Sequence, residues 1–327
     1  MLGFLTHRLL VMIPLLLGIT FISFLVVALA PGDFFGALSM NPAISPEAIE
    51  AMKADFGYGD PLLERYAKWL WRAVQGDLGV SLGHRVPVTT LIAARAGNTL
   101  ILSLAAALFT WTLAIPLGVF VATRRGRLSD RALSMVGLLG MSIPNFFLAF
   151  LLMRWALHTG WFPVGGSFSL DYEKLSAGAK ILDRLHHLIL PTIVLGTAGM
   201  GSLMRLMRSA VIEIERSDYV RTARAKGLGE GRVLFRHVLR NAMNPFVTLA
   251  GYELGSLLGG AALVENVMNL QGLGSLMLEA VLALDIYLVM GSVLVGSLLL
   301  LVGNLIADLL LVLVDPRIDF GRLEAVR

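Results

Sequence analysis

Cysteine is absent from all 327 residues. That excludes a disulfide scaffold, a Cys-ligated metal site and a thiol nucleophile together. Three enzyme signatures are missing too. No G-x-x-x-x-G-K-[ST] loop occurs, because the glycines at 227, 229 and 231 lack the Lys-Ser/Thr pair that would hold a nucleotide phosphate. There is no H-E-x-x-H, and His186-His187 reads as a pair without an acidic partner at helical spacing. No G-x-S-x-G elbow is present. The chain is therefore not expected to hydrolyse ATP, peptides or esters by itself. Charge is scarce as well: 15% of residues are charged against 56% hydrophobic, the composition of a polytopic membrane protein, for which an all-α fold is expected.

Apolar runs of spanning length predict six transmembrane helices, over residues 9–30, 98–123, 133–157, 188–208, 245–264 and 286–314. Residues 1–8 precede the first. Ala28-Leu29-Ala30 mimics a signal-peptidase site, but the apolar run before it exceeds the ~7–15 residues of a signal core, so a retained span is expected. Pro116 and Pro144 lie inside the second and third spans, where each frees a backbone carbonyl. The last span, at about 1.5 Å per residue, is long enough to tilt or protrude.

The basic residues set the orientation. Arg124, Arg125, Arg127 and Arg131 crowd loop 124–132, which holds a single acid, Asp130. Segment 209–244 and tail 315–327 are also basic, whereas loop 265–285 contains no Lys or Arg. Retention of positive charge inside places both termini, loop 124–132 and segment 209–244 in the cytoplasm. Region 31–97, loop 158–187 and loop 265–285 then lie outside. In region 31–97, Ser45 and Pro46 predict a capped helix to Asp55. Leu62, Tyr66, Trp69, Leu70 and Ala73 predict an amphipathic one.

Segment 209–244 is a long polar insert between two apolar spans. It reads as two short helices. Ser217 can cap the first, Lys226 falls in its last turn and Gly227 at the C′ position. The second, Arg232 to Ala242, can place Val233, Leu234, Val238 and Leu239 on one side and Arg232, Arg236 and Arg240 in a stack on another. Such an insert in a lipid-embedded chain points to a soluble partner.

Two features of the fifth span are candidates for function. Gly251, Gly255 and Gly259 share one face, which serves either packing within the chain or a seam against a second membrane subunit. Glu253 lies on another side. It is either a translocation-path group or a carboxyl bonded to a neighbour such as Asn98 or Ser103.

The stretch Asp218-Tyr219-Val220-Arg221-Thr222-Ala223-Arg224-Ala225-Lys226-Gly227-Leu228 resembles the EAA loop of binding-protein-dependent ABC importer permeases, in their dipeptide, oligopeptide and nickel branch. Pro31-Gly32-Asp33, Gln75-Gly76-Asp77-Leu78-Gly79, Ile115-Pro116-Leu117-Gly118, Ser142-Ile143-Pro144, Leu188-Ile189-Leu190-Pro191 and Asp315-Pro316-Arg317 extend the likeness over nearly the whole chain. Phe34, Met268, Gln271 and Arg240 depart from the family pattern.

The resemblance implies a type I ABC importer permease in a bacterial or archaeal inner membrane. It implies four kinds of partner: a second, related permease, two cytoplasmic ATPases, an external solute-binding protein and membrane lipid, with no nucleic acid. No cofactor is expected in this chain, and ATP and Mg belong to the ATPases. Asp218, Tyr219, Arg221, Thr222, Ala223, Arg224, Lys226, Gly227 and Leu228 are the residues it implies for ATPase coupling. Peptides are the leading cargo, with nickel chelates, glutathione or oligosaccharides as alternatives. A secondary transporter or channel is the remote one.

Overall fold

The computed structural model describes residues 2–40, 43–246, 249 and 262–314. Among them no β-strand forms, and the architecture is helical throughout. Four helices there are long and apolar enough to cross a membrane, and a sharply bent pair is a fifth candidate. The expected span 245–264 falls mostly outside the described residues, and with it Gly251, Glu253, Gly255 and Gly259. The chain divides into two compact units.

The first unit comprises residues 1–99 and 271–301. It contains α1 (Leu2–Ala28), α2 (Phe34–Ser39), α3 (Pro46–Asp55) and α4 (Leu62–Val74). Most of α1 is apolar and exposed, the surface expected of a helix solvated by lipid. Ser45 caps α3 by accepting from the Ala48 amide at 3.2 Å, with Pro46 at its first position. α4 turns Trp69 fully inward, with Tyr66, Leu70 and Ala73 beside it, against Phe24, Phe35, Ile49 and Leu82. The Tyr66 hydroxyl reaches α1, donating to the Leu17 carbonyl at 3.1 Å. Leu62, expected on the same side, stays exposed at the first turn.

The second unit holds residues 100–270 together with residues from 302 onward. α5 (Val88–Thr123) begins in the first unit and ends in the second. It is followed by α6 (Leu128–Ser142), α7 (Asn145–Thr159) and α8 (Ala177–Glu215). The third span does not run straight. α6 and α7 meet at 103° across Ile143 and Pro144. Pro144 lacks an amide hydrogen and forces Ile143 into an extended conformation, φ −83° and ψ 121°. At about 1.5 Å per residue each half is only ~22 Å long, short of a ~30 Å hydrocarbon layer. α6 packs on α8 through bare backbone, since a side chain on Gly201 would run into the Gly137 carbonyl.

α8 is the longest element, with 39 residues. At 1.5 Å per residue it extends about 58 Å, well past the hydrocarbon. The helix that carries the fourth span does not stop at 208. Residues 209–215 continue the same helix, so α8 runs about two turns into the polar insert. Then come α9 (Asp218–Ala225), α10 (Glu230–Val233), a π-helical turn (Leu234–Val238), α11 (Leu239–Ala242), α12 (Ala262–Val267), α13 (Leu273–Leu282) and α14 (Ile286–Val314). α13 and the first half of α14 belong to the first unit.

Candidate functional site

α9 is bolted to the second unit by two side chains and by both of its ends. Val220 (0% exposed) and Ala223 are buried in a cluster with Val121, Met207, Val211, Val233, Val238 and Phe246. The opposite side carries Asp218, Arg221, Thr222 and Lys226, all exposed. Tyr219 is half-exposed, and its hydroxyl accepts from the Asn241 side chain at 3.0 Å, tying α9 to α11. Arg224 turns sideways instead of outward. Its guanidinium donates to both Glu230 oxygens, at 3.0 Å each, and stands 3.8 Å from Glu215. It braces the end of α8, α9 and the start of α10 against one another. Arg221 lies 3.7 Å from Asp218, but both are exposed, so that pair adds at most about 1 kcal/mol.

The two caps differ from each other in how they match expectation. At the C-terminus Gly227 adopts φ +79°, its amide donating to the Arg224 carbonyl at 2.9 Å while Leu228 donates to Ala223 at 3.4 Å. This is a complete Schellman cap, with glycine where a left-handed residue is required. Ser217 does occupy the N-cap position, φ −70° and ψ 150°, yet makes no side-chain cap. Its hydroxyl donates backward to the Ile214 carbonyl at 2.6 Å, satisfying the end of α8 instead.

The second helix of the insert is also not the uniform one expected. The π-turn adds a residue, so Val233 and Val238, five apart, both face the core and Ala242 follows four later. A plain α-helix would rotate Val238 about 140° away from Val233. The same extra residue breaks the expected stack of Arg232, Arg236 and Arg240, although all three remain exposed. It also presents Phe235, 71% exposed, on the outer surface.

Loop 124–132 is organised by a contact between residues far apart in the chain. Arg208 on α8 grips Asp130 with two parallel bonds of 2.9 Å, and the Gly126 amide donates to the same carboxylate at 2.8 Å. The Arg208 guanidinium and then the Gly126 amide hold the 5%-exposed Asp130 carboxyl down to about 2, from 3.8. A recess of about 500 Å³ beside this pair is lined by Arg125, Ser209, Ile212, Glu213 and Arg216.

A lowered folded-state value means the stabilisation is complete above pH 3.8 and disappears as pH falls through about 2. The shift corresponds to about 2 kcal/mol. Asp130→Asn is expected to lose about that much at neutral pH. The difference between wild-type and variant melting temperatures should shrink only below pH 4. A constant difference from pH 7 down to pH 2 would contradict this role.

Two further carboxylates are buried in the segment free of Lys and Arg. Glu265 is fully buried within the second unit. Asp285, in the first, accepts from the Ser81 hydroxyl at 2.6 Å, the Gly83 amide at 3.0 Å and the Leu288 amide at 3.2 Å, the last capping α14. An Asp immediately before an apolar helix is the sequence signal for the capping role of Asp285. Asn98 bonds the Gln271 carbonyl at 2.7 Å. His187 does have an acidic neighbour, correcting the earlier expectation: Asp183, one turn before it, lies 3.7 Å away. Among the described residues no group of three or more such side chains could hold a metal ion.

Comparison with known proteins gives the family. Residues 114–320 match the family described as "Binding-protein-dependent transport system inner membrane component", and residues 1–115 match its N-terminal counterpart. The chain is 41% identical to the oligopeptide transport system permease protein AppB of Bacillus subtilis (strain 168), over 98% of this chain and 100% of that one. It is 36% identical to the dipeptide transport system permease protein DppB of Escherichia coli (strain K12), over 97% and 99%. Among solved structures, an inward-facing MetNI methionine ABC transporter aligns with a TM-score of 0.50 at 18% identity, over 67% of this chain and 96% of that one, a likeness of fold alone. With both halves matched and the relatives covered end to end, the chain belongs to the inner-membrane components of binding-protein-dependent transport systems.

Proposed function

We propose that this chain is one permease subunit of an ATP-driven ABC importer for di- or oligopeptides, coupled to its ATPase through α9. As a family member it is a multi-pass component of the bacterial cytoplasmic membrane and a transporter subunit, with ATP hydrolysis carried by separate subunits. The relatives named for oligopeptide and dipeptide transport support peptides as cargo. In this reading six apolar runs span the membrane, and the basic-residue bias supports both termini and segment 209–244 in the cytoplasm. A second permease, two ATPases holding ATP and Mg, and an external solute-binding protein complete the assembly.

One observation carries the coupling role: α9 is anchored by Val220 and Ala223 while its Asp218, Arg221 and Lys226 side is left open. A helix gripped on one side and free on the other can transmit a push. Inverting a 1:99 gate population to 99:1 takes about 5.5 kcal/mol of differential interaction. Single exposed ion pairs of about 0–1 kcal/mol cannot supply that, so α9 and the exposed Phe235 seat in the ATPase as a body. In this reading Arg224 and Ala223 support the helix from within, and Asp218, Tyr219, Arg221, Thr222, Lys226 and Leu228 meet the partner. Gly251, Gly255 and Gly259 are proposed for packing within the chain or for a permease–permease seam, and Glu253 as a translocation-path candidate.

The test is ATP-dependent uptake of a labelled dipeptide and a labelled oligopeptide by proteoliposomes holding the complete assembly. Nothing lies within 4 Å of a side chain added at Gly227, so its replacement acts only through backbone strain. Gly227→Val is expected to cut uptake at least about tenfold with normal membrane insertion, because a β-branched residue resists positive φ. Gly227→Asn should retain most of it. Full uptake by Gly227→Val would refute coupling through this cap. Absence of uptake by the wild-type assembly for both peptides would refute the peptide assignment.

A further inference from the structure

α4 serves two purposes with different stripes of its surface. One packs Tyr66, Trp69, Leu70 and Ala73 into the first unit. The other carries Arg65, Lys68 and Arg72, spaced i, i+3 and i+7 along one face. All three line a cavity of about 470 Å³, within the ~300–1,000 Å³ range of small-molecule sites. Its remaining walls include Phe56, Trp69 and Tyr287.

The three cations are not in equivalent states. Lys68 is neutralised, 2.8 Å from both Asp60 and Glu64. Neither Arg65 nor Arg72 forms an ion pair among the described residues. Arg65 stacks on the Tyr58 ring, its guanidinium carbon 4.0 Å from the centroid, which orients the fork. Its Nε is buried and has no hydrogen-bond partner among the described residues. A buried donor left unpaired is unfavourable, and a guanidinium is shaped to receive two oxygens side by side. Asp77 also lines the cavity, with one oxygen engaged by the Gly79 amide at 2.9 Å. It disfavours a second negative charge on the same ligand.

We propose that this cavity binds a small organic monocarboxylate, its carboxylate held by Arg65 and Arg72 and its apolar part against Trp69, Phe56 and Tyr287. None of these residues belongs to the 209–246 segment. In the topology proposed above the cavity lies in the external region.

The probe is labelled N-acetyl-L-phenylalanine, measured by equilibrium dialysis against the full chain in detergent at pH 7 and low salt. Saturable binding is expected, competed by benzoate and not by N-acetyl-L-phenylalaninamide. Arg72→Gln, at an exposed position, should weaken binding at least about tenfold, because a charge-assisted two-pronged contact is lost. Arg65→Gln should do the same if its melting profile stays native, and Arg72→Lys should recover part of the loss. Lys53→Gln, which alters a surface pair on α3, should leave binding unchanged. No saturable binding, equal competition by the amide, or undiminished binding by Arg72→Gln would each overturn the proposal. Peptide uptake measured in parallel separates the two readings, since importer activity without probe binding sinks only this one.

Discussion

Val220→Asp is expected to leave the chain in the membrane and to reduce ATP-driven uptake at least about a hundredfold, a factor equal to ~2.8 kcal/mol of lost coupling. Val220 is the residue by which α9 is seated, fully buried among side chains from α5, α8, α10 and the π-turn. Removing its burial costs about 1.5–3 kcal/mol. An aspartate there would add several kcal/mol, whether it stayed charged without a partner or took up a proton. Against this stand the tethers that would keep α9 in place. They are the small buried Ala223 methyl, one Asn241–Tyr219 hydrogen bond and the Arg224 brace, the polar contacts being largely exposed and worth roughly 1 kcal/mol each. The substitution wins, and α9 swings off α8. Apolar spans are untouched, so insertion should be normal and the loss should lie in transmission. Retention of the ATPase on the purified complex and peptide uptake are the two readouts. Uptake within twofold of wild type would show that α9 does not depend on this anchor.

Asp285→Ala is expected to destabilise the first unit by about 3–5 kcal/mol, seen as a drop of roughly 10 °C in apparent melting temperature. The carboxylate does three things at once. It caps α14 through the Leu288 amide, a contact worth about 1 kcal/mol, and it satisfies the Ser81 hydroxyl and the Gly83 amide. The buried Ser81 hydroxyl costs about 1–3 kcal/mol when left unpaired, and the Gly83 amide, at an exposed residue, adds less because water can replace its acceptor. The turn it holds is demanding. Arg85 sits at φ 57°, the Ser81 amide donates to the Val86 carbonyl at 3.0 Å, and the Ser81 hydroxyl accepts from the His84 amide at 3.0 Å. Without Asp285 this turn loses its anchor to α14. Asp285→Asn keeps an acceptor and should cost less than half as much. Equal melting temperatures for Asp285→Ala and wild type would mean that water replaces the carboxylate, and the cap would then be dispensable.

What could be read in advance was local. Gly227 stands after a polar helical run, and only a residue tolerant of positive φ closes such a helix with two backbone bonds. Ser45-Pro46 signals a helix start, and the spacing of Tyr66, Trp69, Leu70 and Ala73 marks a buried face. Each of these depends on atoms within about one or two helical turns, so neighbours in sequence suffice. Pro144 was equally visible, but a proline says only that a helix is interrupted. The 103° bend depends on the core in which α7 sits, where Ala149 and Ala156 meet Leu190, Val194, Val264 and Met268.

The insert around α9 shows the same division. Its position between apolar segments, its glycine cap and its open polar side were set by the order of the residues alone. The backward bond of Ser217, the inward turn of Arg224 and the π-turn at Leu234–Val238 were settled by packing. Seating Val233, Val238 and Ala242 in one core takes a spacing that no regular α-helix provides. Arg208 meets Asp130 from 78 residues away, and Asp285 meets Ser81 from 204. The residue order therefore determined that this is a membrane chain with a polar arm. Tertiary structure decided which charges hold that arm and which are left free for a partner, because buried polar groups take their partners from whatever the fold brings within about 3 Å.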